Sequence, residues 1–477
     1  MKHYDCIAIG TGSAMSVVEA LLRHDPETRV AVVDKDEPGG ICLTRACIPS
    51  KLLVYPADVV RLIEEAPMLG IQTDIKKVDF RFIMARMRSL VSETSNEIGQ
   101  NLRQSGTLDY YRDVAEFTGP YSMRVGKNEI SADMFLLASG SRPAIPDIEG
   151  LDQTGYLTSD TLLDLEELPR SLIIIGGGYV AAEYGHFFSA MGSRVTILGR
   201  NTQFLPGEEP EIAAAAREEM SANMDILTSH EVFEIRPGEK GNVLARVRNR
   251  KTGEEKELTA EKILVAAGRA SNTDILRTDR AGIKTDSRGW LVVDEHLETS
   301  VNNIWGFGDA TGRYMFKHAA NYEARVVYAN AVLKKPLAVD YHAVPHAIFT
   351  CPEIASVGMK EAQAVEALGP ENVAIGYKSF EETARGEAMG ARNCFVKVIL
   401  DESTDRIVGA HIIGPQASIL IQEIINLMYT PDRSPAPIYL GMHIHPSLSE
   451  VVDRAFQNLM LQSDYQHLLS HRFPEDF

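Results

Sequence analysis

Apolar positions fall along the chain in short runs that end on glycine, and twice they do so in the same order. Residues 4–10 alternate into an apolar run that stops at Gly10-Thr11-Gly12; helical spacing follows over 16–22, and a second apolar run covers 29–34. This order predicts strand, tight turn, helix and strand. The same grammar returns with a strand at 171–175, the turn Gly176-Gly177-Gly178, a helix over 180–191 and a strand at 194–198, an internal repeat. Two further apolar strands echo one another, Phe135-Leu136-Leu137-Ala138-Ser139-Gly140 and Ile263-Leu264-Val265-Ala266-Ala267-Gly268. From about Val339 the pattern changes to strands at 394–400 and 406–413 and a helix over 417–428, which reads as an α+β unit. The expected segments are 1–148, 149–268, 269–338 and 339–477.

At 477 residues the chain is too long for one core, so two to four domains are expected. Apolar residues make up 44% and charged residues 24%, ordinary for a globular protein, and no run approaches the roughly 18 apolar residues of a membrane span. The opening MKHYDCIAIGTGS lacks the long apolar core and small-residue site of a signal peptide, and a cytoplasmic location is the expectation. With 48 basic and 66 acidic residues the net charge is -18, which argues against nucleic acid or anionic membranes as partners. Five cysteines, at 6, 42, 47, 351 and 394, are too few and scattered for a secreted disulfide framework, and only Cys42 and Cys47 are close. Cys6, Cys351 and Cys394 read as structural, and no metal site is expected.

The first turn suits a dinucleotide. Backbone N–H groups at Gly10, Gly12 and the helix start can meet a pyrophosphate, while Asp34 at the next strand end can accept from a ribose hydroxyl. Met15 is a departure, since that position favours Gly or Ala for close helix–strand packing. The second unit is complete, with Gly176, Gly178 and Ala181 in the three fingerprint positions. Its strand ends in Leu198-Gly199-Arg200 where an acid would hold the ribose diol of NAD; Arg200 can pair with the 2′-phosphate of NADP or stand as a solvated strand end.

Cys42 and Cys47 lie in Gly39-Gly40-Ile41-Cys42-Leu43-Thr44-Arg45-Ala46-Cys47-Ile48-Pro49-Ser50-Lys51. On a regular helix their Cα atoms would be about 8 Å apart, beyond the roughly 4.4–6.8 Å of a disulfide. A bridge therefore needs a distorted helix start, which the glycine pair permits. A thiolate of lowered pKa at a helix N-terminus beside a cation is the expected state of one of them; two buried structural thiols are the alternative.

With Gly39-Gly40-x-Cys-x4-Cys-Ile-Pro-Ser-Lys, Gly176-Gly177-Gly178-Tyr179-Val180-Ala181-Ala182-Glu183, Gly308-Asp309-Ala310 and His445-Pro446-Ser447-Leu448-Ser449-Glu450, nearly the whole chain resembles the class I pyridine nucleotide-disulfide oxidoreductases. That is the flavoprotein family of dihydrolipoamide dehydrogenase, glutathione reductase, mycothione reductase and mercuric reductase. The resemblance implies an α/β fold of two Rossmann-like dinucleotide-binding domains and a C-terminal α+β dimerisation domain. Residues 1–148 and 269–338 would form the FAD-binding domain, 149–268 the NAD(P)-binding domain and 339–477 the dimerisation domain. It also implies FAD and NADP or NAD as cofactors. Cys42 would be the interchange thiol and Cys47 the thiol nearest the flavin. Lys51 and Glu183 would pair beside the isoalloxazine, Tyr179 would cover the nicotinamide pocket, and Asp309 would bind the ribityl chain. Gly140, Gly268 and Gly308 are expected in the cofactor walls. His445, held by Glu450, would be the acid–base supplied across a homodimer interface. Imidazole titrates near neutrality and a carboxylate fixes its tautomer, so the pair suits the proton of a thiol; His443 looks equally good until Pro446 and the residues after it are considered.

The resemblance carries an activity: hydride passes between a nicotinamide and FAD, and thiol–disulfide exchange at Cys42–Cys47 couples it to a small disulfide, a dithiol or a lipoyl-carrying protein. Dihydrolipoamide dehydrogenase is the leading expectation, from the His445–Glu450 segment and the central strands. An NADPH-dependent reductase of a low-molecular-weight disulfide (glutathione, mycothione or bis-γ-glutamylcystine type) is the alternative, from Arg200, Gly386-Glu387-Ala388-Met389 and residues 416–422. A flavin electron-transfer or assembly component without disulfide turnover is a third. His445 is retained and the segment 463–477 has no cysteine pair, which speaks against mercuric reductase. Arg45 departs from the usual spacer and either assists an anionic substrate, lowers a thiol pKa, or pairs with one of the chain's many acids. Ser271, where the family usually has Pro, carries no consequence.

Overall fold

The computed structural model describes residues 1–472; residues 473–477, the end of the expected last segment, lie outside the described residues. The first strand–turn–helix–strand unit folds as read: Lys2–Ile9, then a helix Ala14–His24, then Val30–Asp34. Its strands are central in a sheet ordered Leu108–Arg112, Val30–Asp34, Lys2–Ile9, Asn128–Leu137, Ser122–Val125, Ala115–Gly119. The inner strands are near-continuous apolar runs because helices and loops cover both faces. Ile304–Gly306 returns from far along the chain and pairs parallel with Phe135 to Leu137.

The second unit, Ser171–Ile175, Tyr179–Met191 and Arg194–Leu198, builds a five-stranded parallel sheet ordered Asp225–Leu227, Arg194–Leu198, Ser171–Ile175, Lys262–Val265, Leu157–Thr158. A three-stranded antiparallel meander, His230–Pro237, Val243–Asn249 and Glu255–Ala260, covers it through Val232, Ile235, Ala245 and Val247. The C-terminal unit is a six-stranded antiparallel sheet, His346–Ile348, Ile354–Gly358, Arg406–Ile413, Phe395–Asp401, Val373–Ser379 and Leu459–Leu461, packed by the helices Ala417–Met428 and Glu450–Gln457.

The two echo strands have a structural reason. Gly10 and Gly176 each turn at positive φ, and a Cβ at either would meet a carbonyl oxygen at the end of the adjacent echo strand, Ala138 at 2.4 Å and Ala266 at 2.1 Å. Only glycine lets the two strand ends approach, and the carboxyl edge of each sheet is thereby left open for a ligand. At the third position of the first turn, Met15 is partly buried against the core of the first domain.

Candidate active site

The helix carrying the cysteines is broken. A short helix Gly40–Thr44 holds Cys42; Ala46 leaves helical geometry at φ -128, ψ -100; and a new helix, Cys47–Glu65, starts on the second cysteine. The distortion that spacing demanded is thus a break between two helices, entered through Gly39 and Gly40 at positive φ. The cysteines stand as a dithiol. Cys42 donates its hydrogen to Cys47, and this bond, with burial, pushes the Cys42 thiol up. The same bond, with Lys51 nearby, pushes Cys47 down to about 7.

Lys51, one turn along from Cys47, donates to both oxygens of Glu183 at 2.9 and 2.8 Å. Glu183 is buried on the helix Tyr179–Met191, which packs on the cysteine helix through Leu53, Ala57, Ala181 and Ala182. The Phe349 N–H also donates to Glu183, at 3.1 Å, and its ring lies 4.5 Å from the Lys51 ammonium. A buried carboxylate with these partners holds the lysine beside the thiols.

Both thiols, Lys51, Glu183 and Tyr179 line an open cleft of about 540 Å³ that also takes in Gly10, Gly12, Asp34, Gly140, Gly308 and Asp309. Asp34 is partly committed: its Oδ2 accepts from the Thr11 N–H and hydroxyl at 2.8 and 2.6 Å, which fixes the first turn and leaves Oδ1 the freer oxygen. Burial pushes the Asp309 carboxyl up, and its side-chain partner is the Ser141 hydroxyl at 2.5 Å. Ser139 lines the cleft, and among the described residues its buried hydroxyl has no partner. A glycine cradle, a desolvated acid and an orphaned hydroxyl are what a polar, anionic, hydroxyl-rich group such as FAD would satisfy. Gly268 stands at positive φ past the end of the strand Lys262–Val265 and, like Gly176 and Gly178 past the end of Ser171–Ile175, lies off this cleft. Arg200 is exposed past the end of the strand Arg194–Leu198.

Sequence reasoning missed three cleft residues. Lys317, the first residue of the helix Lys317–Val327, donates to the Ser13 hydroxyl at 3.0 Å and draws the Cys42 thiol pKa down against the other influences. Arg269 holds the Ser141 hydroxyl at 2.8 Å, and Phe349 backs Lys51. Lys317 lies eight positions past Asp309 at a helix start, which was its only sequence cue. Of the three roles open to Arg45, the structure shows the pairing with acids: it donates to Asp36 at 2.6 Å, with Asp160 at 3.9 Å.

His445 is not in the cleft of its own chain. Its side chain is 69% exposed and its Nδ1 meets Glu450 at 2.9 Å; Ser447 N–H and Arg454 also donate to that carboxylate. Glu450 begins the helix Glu450–Gln457, and the His445 contact holds its carboxyl below the usual range. His443 meets Glu423 at 3.3 Å, but burial pushes that carboxyl up and, among the described residues, its Oε1 has no partner, so the Glu450 pair is the better formed.

Residues 4–324 match the pyridine nucleotide-disulphide oxidoreductase family, and residues 344–456 match that family's dimerisation domain. The chain belongs to the class I pyridine nucleotide-disulfide oxidoreductases. The oxidoreductase is 33% identical to the mycothione reductase of Mycobacterium tuberculosis (strain CDC 1551 / Oshkosh), over 96% of this chain and 100% of that one. It is also 33% identical to the dihydrolipoyl dehydrogenase of Synechocystis sp. (strain ATCC 27184 / PCC 6803 / Kazusa), over 95% and 98%. Among solved structures, the Cu(II) complex of the HOCl-induced flavoprotein disulfide reductase RclA from Escherichia coli superposes with a TM-score of 0.84 at 28% identity, covering 96% of this chain and 100% of that one. The oxidoreductase accordingly has the α/β fold expected and is an FAD-containing enzyme of a family that uses NAD(P)H. Its dimerisation domain indicates a homodimer. Among the described residues, no helix is long and apolar enough to cross a membrane.

Proposed function

We propose that the enzyme reduces a low-molecular-weight disulfide with NADPH, through Cys42 and Cys47. FAD, which Gly10, Gly12, Asp34 and Asp309 would hold in the cleft, would supply the two-electron chemistry that links the nicotinamide to the Cys42–Cys47 disulfide. The remaining chemistry belongs to the chain's own groups. Cys42, its thiol pushed up, needs a base, and His445 of the partner subunit takes its proton. The Cys42 thiolate attacks one sulfur of the substrate disulfide, forming a mixed disulfide and releasing one thiolate, which His445 of the partner subunit protonates. Cys47, favoured as an anion by the nearby Lys51, then attacks the Cys42 sulfur, expels the second substrate thiolate and restores the Cys42–Cys47 bond. Lys51, fixed by Glu183, holds the Cys47 anion in place.

NADPH is supported by one observation: Arg200 stands exposed after Gly199 where a ribose-binding acid would favour NADH. Dihydrolipoamide dehydrogenase is the second reading, favoured by the well-formed His445–Glu450 pair in a segment that resembles it. Parallel steady-state assays with NADPH and NADH against lipoamide, glutathione disulfide, cystine-type disulfides and coenzyme A disulfide separate them. The expected result is NADPH-driven turnover of a small disulfide; NADH preference with rapid lipoamide turnover overturns it. Flavin reduction with no disulfide turned over would indicate an electron-transfer component.

A further inference from the structure

Beyond the strand Arg194–Leu198, three cations meet at one hollow, and among the described residues a buried hydroxyl in its wall has no partner. Arg200, Arg250 and Lys251 line a cavity of about 640 Å³ together with Thr202, Gln203 and Ser229. Arg250 and Lys251 come from the turn between Val243–Asn249 and Glu255–Ala260, some fifty positions beyond Arg200. Other arginines of this meander are paired: Arg246 and Arg248 hold Glu255 at 3.1 and 2.7 Å, and Arg236 and Arg246 hold Glu234. Among the described residues, Arg200, Arg250 and Lys251 have no such acid. In a chain of net charge -18, three cations at one hollow without a carboxylate mark an anion site.

Ser229 is only 3% exposed, and among the described residues its hydroxyl finds no partner. It sits at φ 56, a conformation unfavourable to a residue with a Cβ. Its main chain joins the two arms of the hollow: the Ser229 N–H donates to the Asn201 carbonyl at 2.7 Å, and its own carbonyl accepts from the Arg250 N–H at 2.7 Å. The Arg250 guanidinium donates to the Arg200 carbonyl at 3.0 Å. The hollow is also tied to the second fingerprint, where the Leu205 N–H donates to the Gly177 carbonyl at 2.8 Å. A coenzyme lying on that fingerprint brings its adenosine ribose to the end of the strand Arg194–Leu198, where this hollow opens.

We propose that Arg250, Lys251 and Ser229 complete, with Arg200, a phosphomonoester subsite for the 2′-phosphate of NADPH, so that the meander turn shares control of coenzyme choice. This rests on the NADPH reading above and adds the residues that enforce it. Charged hydrogen bonds to a phosphate justify an effect of roughly 10- to 100-fold per cation removed.

Arg250→Ala, Lys251→Ala and Arg250→Lys in the FAD-loaded enzyme test it, with two readouts. One is kcat/KM for NADPH and for NADH; the other is the dissociation constant of adenosine 2′,5′-bisphosphate against adenosine 5′-monophosphate by calorimetry. The alanine variants should lose NADPH efficiency and bisphosphate affinity together, keep NADH and the monophosphate within about threefold, and the lysine variant should recover much of the loss. A wild-type enzyme that prefers NADPH, with variants of unchanged NADPH/NADH ratio, overturns the hairpin's role and leaves Arg200 as the determinant. A wild-type enzyme that prefers NADH but binds the bisphosphate more tightly, in an Arg250-dependent way, overturns the NADPH reading and sustains the anion subsite. Preference for NADH with no bisphosphate selectivity overturns both.

Discussion

Cys47 begins a helix, faces Lys51 across one turn and receives the Cys42 hydrogen, and each contact favours its anion. In the reduced protein, thiolate ultraviolet absorbance should rise with a midpoint near 7, and Lys51→Met should move that midpoint upward by removing the nearby cation. The linkage has a definite sign. The folded pKa lies below the ordinary thiol value near 9, so the stability contributed by this anion is complete above pH 9 and is lost as pH falls through 7. The thiols themselves were legible, because their spacing is geometrically awkward unless the helix breaks. Arg45 was legible only as alternatives: sequence shows a cation but not Asp36, which takes it. Lys317, Arg269 and Phe349 were hidden because the cleft draws on turns far apart in the chain.

Four apolar patterns share the bounds of their elements, while others, such as 394–400 against Phe395–Asp401, differ by a residue or two. The strands Ser171–Ile175, Arg194–Leu198 and Arg406–Ile413 and the helix Ala417–Met428 coincide with their apolar patterns. The 25-residue helix Phe80–Gln104 has no clear apolar stripe in the sequence because its buried face includes Ser95 and Gly99. The meander was equally hidden, since the Glu234, Arg246, Arg248 and Glu255 pairs give its strands a charged appearance. The fingerprint turns, by contrast, announce themselves through glycines that have no substitute. Gly176→Ala would drive a Cβ to 2.1 Å from the Ala266 carbonyl and force the backbone from positive φ. It should destabilise the fold by more than about 1 kcal/mol. Nicotinamide-driven flavin reduction should fall far more than flavin content, since the other fingerprint is untouched; equal losses would show a general unfolding instead.

At the scale of the molecule, Lys397 is fully buried where the helix Pro210–Ser221 meets the C-terminal sheet. Its ammonium lies 2.5 Å from Glu211, 2.7 Å from Glu361 and 3.6 Å from Glu209, and the Tyr465 hydroxyl donates to Glu211 at 2.9 Å. A lysine inside an apolar strand reads from sequence as outward-facing, so this junction could not be foreseen. Lys397→Met would strand three acids and should cost about 3–5 kcal/mol, seen as a lower denaturation midpoint. Leu440, Met442 and Ile444 are 85%, 99% and 77% exposed beside the exposed His445, an apolar face that a second copy would cover. That placement makes activity a matter of counting. In a mixed population of subunits carrying His445→Ala or Cys42→Ser, each parent dimer should be inert at both sites under the roles proposed above. A hybrid would combine one intact thiol pair with one intact imidazole and lose the other combination. With random assortment half the dimers are hybrids with one live site each, so two dead proteins should return about a quarter of the wild-type turnover. An enzyme completed within one chain would return none.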